Sequence, residues 1–561
     1  MPRSLITHLR NAVAQQQSSL TPEKQLQNFL SEPLLGAVSN TGTLKKSSWT
    51  HDQRQLIYSI FLFRPNLLPS PFSNTSRKQA EHIITQMPLS APVSFLSIPE
   101  VFANFLLTNY TTYHLPQYPC VSKILLVESF NKIFVTKKEC TAYDYITVSL
   151  AMAISASTLL WKNERAAVAS SNALFTTAAQ HLSDLDWEDS TETLAIILLF
   201  SHYSYANPVA CDTWFLMGMA LRMSFSLGLH RDMPKDDLNA LETDTRRRLF
   251  LMTSSMERAL CSLHMKPTFL SDQYITSLDP SPLGDEFISA QGLDENGVHY
   301  KGAALHFHKH RLLQSEMFDV LWKGRLDPKI KLEDWMEDMD QRMTQWYFDA
   351  APFTKIHQLK FREINKVQGS LRLKRRSPYY TDPILKHRID LYYDIKRLIS
   401  INQDLFSSGH LSYLLYGVHF MVESAVCLLD MMWNQLDLVV NTFSFQEVHN
   451  VFRSCLEVIT RMSSRWPAAQ YCVTVLSDLE YEVAAFKYPS ALSQKVEVRA
   501  EQEISDQIFN LLFPDSHYEV VKEPENKDVQ LFDTNELGWD IEFESVINWN
   551  EDWALSNIIL D

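Results

Sequence analysis

Residues 211–280 read CDTWFLMGMALRMSFSLGLHRDMPKDDLNALETDTRRRLFLMTSSMERALCSLHMKPTFLSDQYITSLDP, and this stretch decides the fold. Four large apolar side chains in its first part recur at intervals of three and four residues, which predicts one buried helix face. They are Trp214, Met217, Leu221 and Phe225. Gly218, on the neighbouring face, is expected to let another backbone approach. Gly228 suits the left-handed position after a helix end, and Pro234 keeps that helix from resuming.

A second helix follows, with an apolar stripe formed by Leu249, Met252, Met256, Leu260 and Leu263. Its first turns hold Glu242 and Asp244, where carboxylates complement the helix dipole. These acids lie four residues before Arg246 and Arg248, so the arginine triplet can be interpreted as a solvated, ion-paired helix face. The alternative interpretation is a patch that contacts phosphate. The sequence favours the ion-paired face.

These residues resemble the signature of the fungal-specific transcription factor domain, the large helical middle region of binuclear zinc cluster regulators. The matching positions are Trp214, Gly218, Arg222, the LGLHRD run Leu227–Asp232 with Gly228 and His230, Arg246, Arg247, Arg248, Glu257, Arg258, Lys266, Pro267 and Asp272. The resemblance extends over about residues 100–480, through YTTYHLPQYPC (Tyr110–Cys120) and HRLLQSEMFDVLWKG (His310–Gly324). The chain departs from the family at Met265-Lys266-Pro267, where Gly-Arg-Pro is usual.

Composition indicates an all-α protein. Glycine, which tight turns and phosphate loops consume, accounts for only 13 of 561 residues, while apolar residues make up 45%. Apolar periodicity predicts helix after helix from Pro99 onward, joined by short polar links, with a loop over Ser281–Tyr300. No regular repeat is evident. We therefore expect a large irregular helical bundle or array with disordered or loosely docked termini.

Charge divides the chain into three parts. The net charge is −15, and the segment Asp515–Asp561 alone carries 13 acidic residues against two lysines. The expected organisation is a polar, partly helical arm over 1–95, an all-helical domain over 96–513 and an acidic, aromatic tail over 514–561. The rest of the chain therefore carries a net charge of only about −4. A body this close to neutral lacks the clustered positive charge that is typical of a nucleic-acid-binding surface.

Cysteine spacing predicts no zinc cluster in this chain. The seven cysteines start at Cys120, and no two lie closer than 17 residues, which rules out a local metal knuckle or redox pair. In the family, six cysteines of a DNA-reading module precede the helical region. Direct DNA binding is therefore in doubt, and we expect that a partner protein supplies that contact.

A basic cluster in the second half has the composition of a nuclear import signal. It consists of Arg372, Lys374, Arg375 and Arg376. An exposed basic patch of no special role is the alternative. The longest uncharged run, Tyr145–Trp161, contains several hydroxyl residues and predicts a buried helix rather than a membrane span.

Catalytic and cofactor motifs are not found. Gly297 and Gly302 have phosphate-loop spacing, but Ala303 and Ala304 follow where lysine and a hydroxyl residue are needed. His306 and His310 could share a metal on one helix face, yet no further ligand is identifiable, so surface histidines are the preferred interpretation. His230 is expected to hydrogen-bond a carbonyl at a helix end. No catalytic residue, cofactor or metal site is predicted.

The resemblance implies a nuclear transcriptional regulator that controls a metabolic pathway through its helical domain. Its expected partners are the transcription machinery or a DNA-binding protein, with a small molecule as effector. The alternative is a cytoplasmic helical scaffold or small-molecule-responsive module without a transcriptional role. An enzyme using a helical cavity is disfavoured because no catalytic constellation supports it.

The tail interleaves carboxylates with large rings, among them Phe543, Trp549 and Trp553. Repulsion between the acids opposes a core of its own, so the rings stay available to a partner. We expect an activation segment that lays these rings into a basic-rimmed apolar groove. The alternative is a clasp in which the tail covers a groove on its own helical body.

Overall fold

Helices make up nearly all the regular structure of the computed structural model, which describes residues 91–185, 187–232, 238–349, 356–489 and 499–514. In chain order they are α1 (Glu100–Asn109), α2 (Lys123–Phe130), α3 (Ala142–Ser157), α4 (Glu164–Gln180), α5 (Thr191–Ala206), α6 (Thr213–Ser226), α7 (Ala240–Leu263), α8 (Gly302–Lys323), α9 (Leu332–Phe348), α10 (Ile356–Lys374), α11 (Leu385–Ser407), α12 (Leu414–Asn434), α13 (Leu436–Asn441), α14 (Phe445–Met462), α15 (Ala469–Lys487) and α16 (Glu501–Leu512). The predicted all-α class is confirmed.

Side-chain caps fix where several helices begin. The Asn239 side chain accepts from the Glu242 backbone N–H at 2.9 Å, and the Glu242 carboxylate accepts from the Asn239 N–H at 3.2 Å. This capping box starts α7 at Ala240. Ser190 caps α5 in the same way through the Thr193 N–H at 3.1 Å. Glu242 therefore serves as a cap, and the expected ion pair with Arg246 is not among its contacts.

The end of α6 has the predicted geometry. Gly228 takes the left-handed conformation with φ +66°. Its N–H donates to the Phe225 carbonyl at 2.9 Å, and the Leu229 N–H donates to the Ser224 carbonyl at 2.8 Å. This pair of bonds is the Schellman motif, which satisfies the last carbonyls of the helix. The prediction at Gly228 is confirmed.

Helix α6 packs against α5 and α7, but not through the predicted glycine. Leu216, Met217 and Ala220 are buried on its packed side, while Gly218 is exposed and a Cβ added there would meet nothing within 4 Å. The expectation that Gly218 admits a neighbouring backbone is wrong. The periodicity identified a buried face, and Gly218 lies outside it.

Helix α12 lies at the heart of the core. Nearly all of its residues are buried, and it contacts α5, α7, α11, α14, α15 and α16. Among the described residues it is the one helix long and apolar enough to cross a membrane, but its apolar window is entirely buried inside the protein. Such burial is typical of a core helix. The uncharged run that starts at Tyr145 is likewise a buried helix, α3.

The main apolar cluster runs from Ile98 to Phe513, and a second cluster joins α8 and α9 through residues such as Met317, Trp335 and Met339. The predicted loop at 281–300 contains a short antiparallel pair, β1 (Ile288–Ser289) with β2 (Gly292–Leu293). Most of the arm over 1–95 and the tail from residue 515 lie outside the described residues. The predicted domain boundaries therefore stay predictions.

Candidate functional site

The three side chains of the arginine triplet of α7 contact three different segments of the chain. Arg246 donates to the Leu227 carbonyl at 2.7 Å, at the end of α6. Arg247 makes a two-pronged ion pair with Asp232, with contacts of 2.9 and 2.6 Å. Arg248 is 4% exposed and lies 3.7 Å from Asp285. Neither the solvated face nor the phosphate patch describes this arrangement, because each guanidinium is turned toward the protein itself.

The predicted partners of these arginines are engaged elsewhere. Asp244 accepts from the buried Lys301 ammonium at 2.8 Å and from the Ser281 N–H at 2.6 Å. Burial works to raise the pKa of Asp285, but Arg248 and Lys301 outweigh it and lower that pKa. A buried carboxylate flanked by two cations stays ionised at neutral pH. These contacts fasten the chain after α7 back onto that helix.

Glu257 and Arg258 hold the loop that follows α7. The Glu257 carboxylate accepts from the Phe269 N–H at 2.8 Å. The buried Arg258 side chain bonds Asp272 and also donates to Ser315 of α8 at 2.8 Å. Charge-assisted bonds of this kind are the stronger ones, so this pair ties the loop and α8 to α7.

The remaining signature residues have mostly structural surroundings. Trp214 is partly buried, with its ring centroid 5.4 Å from those of both His264 and Phe269. Arg222 is exposed and contacts Asp189 at 3.4 Å, and Pro267 is exposed. The His230 backbone carbonyl accepts from Thr276 and Ser277, whereas the ring Nδ1 has no hydrogen-bond partner. The expected ring-to-carbonyl bond is therefore not seen at Nδ1.

The basic cluster predicted as an import signal is largely internal. Arg372 and Arg375 bind Glu423 of α12 at 3.0 and 2.7 Å, with side chains only 6% and 3% exposed. Lys374 pairs with Asp394 at 3.3 Å, and Arg376 pairs with Asp430 at 2.6 Å. An import receptor needs such side chains in solvent, so this arrangement argues against the import interpretation. A basic run is expected at the surface because charges are usually solvated, and here buried acids hold it inside.

Two of the three histidines of α8, the pair considered as metal ligands, are not on the surface either. His306 and His310 are buried, and their rings stack on Trp346 at centroid distances of 4.7 and 4.3 Å. Burial lowers the pKa of both rings, to about 4 for His306. Within the described part of the chain, no group of three or more His, Cys, Asp or Glu could hold a metal ion. The expectation of surface histidines is wrong.

A cavity of about 280 Å³ lies where α1, α10, α11 and α12 meet the end of α3. Its wall consists of Phe105, Asn109, Tyr113, His114, Gln117, Thr158, Leu159, Trp161, Phe361, Ile364, Asn402, Leu405, His410, Leu411, Ser412, Tyr413, Tyr416, Gly417 and Phe420. A water molecule needs roughly 10–15 Å³, so this space suits a small organic molecule. In the described part of the chain, none of the residues that line the cavity is Asp, Glu, Lys or Arg.

The sequence alone does not reveal this cavity. The segment Tyr110–Cys120 shows only a helix followed by proline, although its Tyr113, His114 and Gln117 all face the cavity. The opposite wall comes from Asn402 and Tyr416, about 300 positions further along the chain. No local pattern in the sequence predicts this cavity, because its wall combines segments that lie far apart in the chain.

Known proteins match the central region of the chain. The model of the fungal specific transcription factor domain matches residues 107–348. The Positive regulator of purine utilization of Emericella nidulans is 24% identical over 364 residues, 50% of this chain and 34% of that protein. Pyrimidine pathway regulatory protein 1 of Saccharomyces cerevisiae is 30% identical over 175 residues, 29% of this chain and 19% of that protein.

Transcriptional activator protein acu-15 of Neurospora crassa is 22% identical over 319 residues, 55% of this chain and 33% of that protein. The chain thus spans about a third or less of the length of these three relatives. All three names are those of regulators, and the matched region includes α6, α7 and the arginine triplet. The chain therefore contains a fungal specific transcription factor domain over residues 107–348, the family that its sequence pattern resembles.

Proposed function

We propose that this chain is a nuclear regulator of transcription that controls a metabolic pathway through its helical domain. The family match over residues 107–348 is the observation that carries the proposal. The relatives named for purine utilization and for the pyrimidine pathway support the metabolic part. The transcription machinery or a DNA-binding protein is the expected partner.

DNA contact is assigned to a partner or to a separate module rather than to the arginines of α7 and α10. A DNA-binding surface needs cations that can reach phosphates. Arg248, Arg258, Arg372 and Arg375 are all buried. Arg247 is only 26% exposed and is engaged by Asp232. Nuclear entry likewise needs a determinant other than the cluster at 372–376.

A tethering experiment tests the proposal. The full chain, fused to an unrelated DNA-binding domain, is expected to change the output of a reporter promoter by several fold, up or down. Leu428→Asp places a carboxylate at a fully buried position of α12 and should abolish that change, because an unpaired buried charge destabilises the fold. Val440→Asp, at a position 66% exposed, is the matched control. A fusion without effect on either a basal or an activated promoter would contradict the proposal.

The cavity where α1, α10, α11 and α12 meet the end of α3 suggests what the regulator responds to. It is largely apolar, carries a few polar groups and lies among four helices and the segment after α3, whose packing a bound molecule would affect. A ligand that binds one arrangement of these helices better than another would shift the population toward it. A small-molecule effector at this cavity is therefore part of the proposed function.

A further inference from the structure

We infer that the cavity of about 280 Å³ binds an uncharged, planar ring compound that carries both a hydrogen-bond acceptor and a hydrogen-bond donor. The inference rests on the proposed function, because it names the class of the effector. Three features of the wall determine this class: its charge, its unpartnered amides and its rings.

The first feature is the lack of charge. Among the residues that the structure describes, those lining the cavity include no Asp, Glu, Lys or Arg. The buried cation Arg311 contacts the lining residue Tyr416, with its guanidinium 5.8 Å from that ring centroid. This guanidinium donates to Gln314 at 2.7 Å and to Asn365 at 3.0 Å. An ion placed in the cavity would lose its hydration without gaining a charged partner in the wall, so a neutral ligand is favoured.

The second feature is a pair of buried amides with unused hydrogen-bonding capacity. Gln117 is 4% exposed, and its Nε2 has no hydrogen-bond partner. Asn402 is fully buried; its Nδ2 donates to the Leu398 carbonyl at 2.9 Å, which fixes the amide and leaves Oδ1 without a partner. Both side chains line the cavity. Buried polar groups in folded proteins are almost always bonded, so an unused donor and acceptor here indicate a ligand that supplies both partners.

The third feature is the shape of the wall. Phe361 meets Tyr413 and Tyr416 edge to face, with ring centroids 5.0 and 5.6 Å apart. Phe105, Tyr113 and Phe420 add further rings to the lining. Aromatic side chains gain most from a flat partner that can stack or meet their edges. The cavity is therefore suited to a ring compound rather than a flexible chain.

The rim offers a way to observe binding. Trp161 lines the cavity although 46% of it is exposed, and its ring stacks on His410 at 5.8 Å. Gly409, with φ +71°, lets its own segment approach the backbone at Trp161 closely. A Cβ at this position would lie 2.5 Å from the Trp161 backbone nitrogen. A ligand entering beside this pair should change the fluorescence of Trp161. Trp161→Phe identifies that signal among the 12 tryptophans of the chain.

The test uses the purified full-length chain and three bicyclic probes of similar size: quinolin-2-one, naphthalene and quinoline-2-carboxylate. Calorimetry and the fluorescence of Trp161 give the dissociation constants. We expect the uncharged lactam quinolin-2-one to bind at least tenfold more tightly than either the apolar hydrocarbon or the anion. Equal or tighter binding of naphthalene or of the carboxylate would overturn the inferred class, and so would no binding of quinolin-2-one at millimolar concentration.

Two substitutions locate the site. Gln117→Met and Asn402→Leu each remove one unpartnered amide with little change in side-chain volume. Each should weaken the binding of quinolin-2-one at least tenfold without lowering the melting temperature of the free protein. Gln435→Met is the matched control, because Gln435 is 4% exposed with an unpartnered Oε1 but does not line the cavity. Unchanged affinity in both cavity variants, or an equal loss in the control, would contradict the site. If one cavity variant fails to fold, the other still decides.

The binding assay tests the ligand class, and the reporter assay tests the proposed function independently of it. A chain that binds quinolin-2-one but leaves the reporter unchanged would contradict the proposed function and keep the site. A chain that changes the reporter but binds no probe would keep the function and contradict the ligand class.

Discussion

At the scale of the residue, Trp214 shows what a pattern can and cannot predict. Its spacing with Met217 and Leu221 indicates a shared helix face, and α6 forms as predicted. The pattern also predicts full burial, but Trp214 is only partly buried, at the start of α6 against His264 and Phe269. Periodicity specifies which positions share a face, whereas the depth of each depends on the neighbouring segment.

The first prediction concerns this difference in depth. Trp214→Ala should lower the free energy of unfolding by about 2 kcal/mol, less than the 3–5 kcal/mol typical of a tryptophan removed from a closed core. Trp466→Ala, at a position 1% exposed, should reach that larger range. Urea denaturation of both variants measures the difference. Equal losses in the two proteins would show that Trp214 is a core residue after all.

The second prediction is an acid sensitivity at His419. This ring is buried in α12, with Nδ1 2.8 Å from the Leu415 carbonyl and the His264 ring edge-on at 4.9 Å. Its pKa is lowered to about 4, mainly by burial; Arg372 adds to the shift, while the Leu415 carbonyl and Glu423 oppose it. The unfolded ring, with a pKa of about 6.5, therefore binds a proton more readily than the folded one.

Stability linked to His419 is thus full above about pH 6.5 and is lost as the pH falls toward 4. From pH 7 to pH 5 the loss attributable to this ring is about 2 kcal/mol. His419→Gln should flatten the dependence of the unfolding free energy on pH over that interval. An unchanged slope in the variant would remove His419 from the acid response. His181→Gln, at a ring partly exposed to solvent, serves as the comparison.

At the scale of the element, the ion cluster between α10 and α12 explains why those helices are held together. The Glu423 carboxylate forms ion pairs with Arg372 and Arg375 and accepts a hydrogen bond from the Gln368 amide. Arg375 also donates a hydrogen bond to the Leu512 carbonyl at the end of α16. Burial raises the pKa of Glu423, but the two arginines more than reverse this, so the carboxylate stays ionised. One cluster of side chains therefore connects three helices.

The third prediction follows from this geometry. Glu423→Gln leaves two buried guanidinium groups without a countercharge, which typically costs roughly 3–5 kcal/mol. Glu363→Gln is the control, because its partner Arg397 is 51% exposed and such pairs contribute roughly 0–1 kcal/mol. Chemical denaturation compares the two. A loss below 1 kcal/mol for Glu423→Gln would mean that water reaches the cluster.

The same cluster explains why the sequence places the basic residues of 372–376 at the surface, whereas the structure buries most of them. A run of arginines and lysines is usually solvated, and the acids that pair with this one lie far along the chain: Asp394 is 20 positions from Lys374, and Glu423 is 51 positions from Arg372. Helix caps, by contrast, act over three or four residues. The start of α7 and the end of α6 were therefore predictable, whereas the destination of the arginine triplet was not.

At the scale of the whole molecule, the all-α class and the succession of helices could be predicted because they depend on local periodicity and on the scarcity of glycine. The cavity could not, since its wall combines residues as far apart in the chain as Gln117 and Asn402. The family resemblance was visible in the sequence, and several of its residues, such as Arg246 and Arg258, hold the segments around α7. Those residues support the scaffold, whereas a different set of side chains lines the cavity.

The last prediction concerns the acidic tail, which lies outside the described residues. Between Asp515 and Asp561 the acids outnumber lysines by 13 to two, and large rings stand among them. A basic partner surface would attract the carboxylates and bury Phe543, Trp549 and Trp553 in an apolar groove. Trp549 and Trp553 are four positions apart, so one face of a short helix could present both.

Residues 515–561 fused to an unrelated DNA-binding domain should therefore activate a reporter by several fold. Phe543→Ala, Trp549→Ala and Trp553→Ala, singly and together, should reduce that activation, because each removes apolar surface while leaving the charge unchanged. Asn548→Ala and Asn550→Ala flank Trp549, remove no ring and should have little effect. A silent fusion would favour the alternative clasp. In that case deleting 515–561 from the full chain should lower its melting temperature, since the groove that the tail covers would become exposed to water.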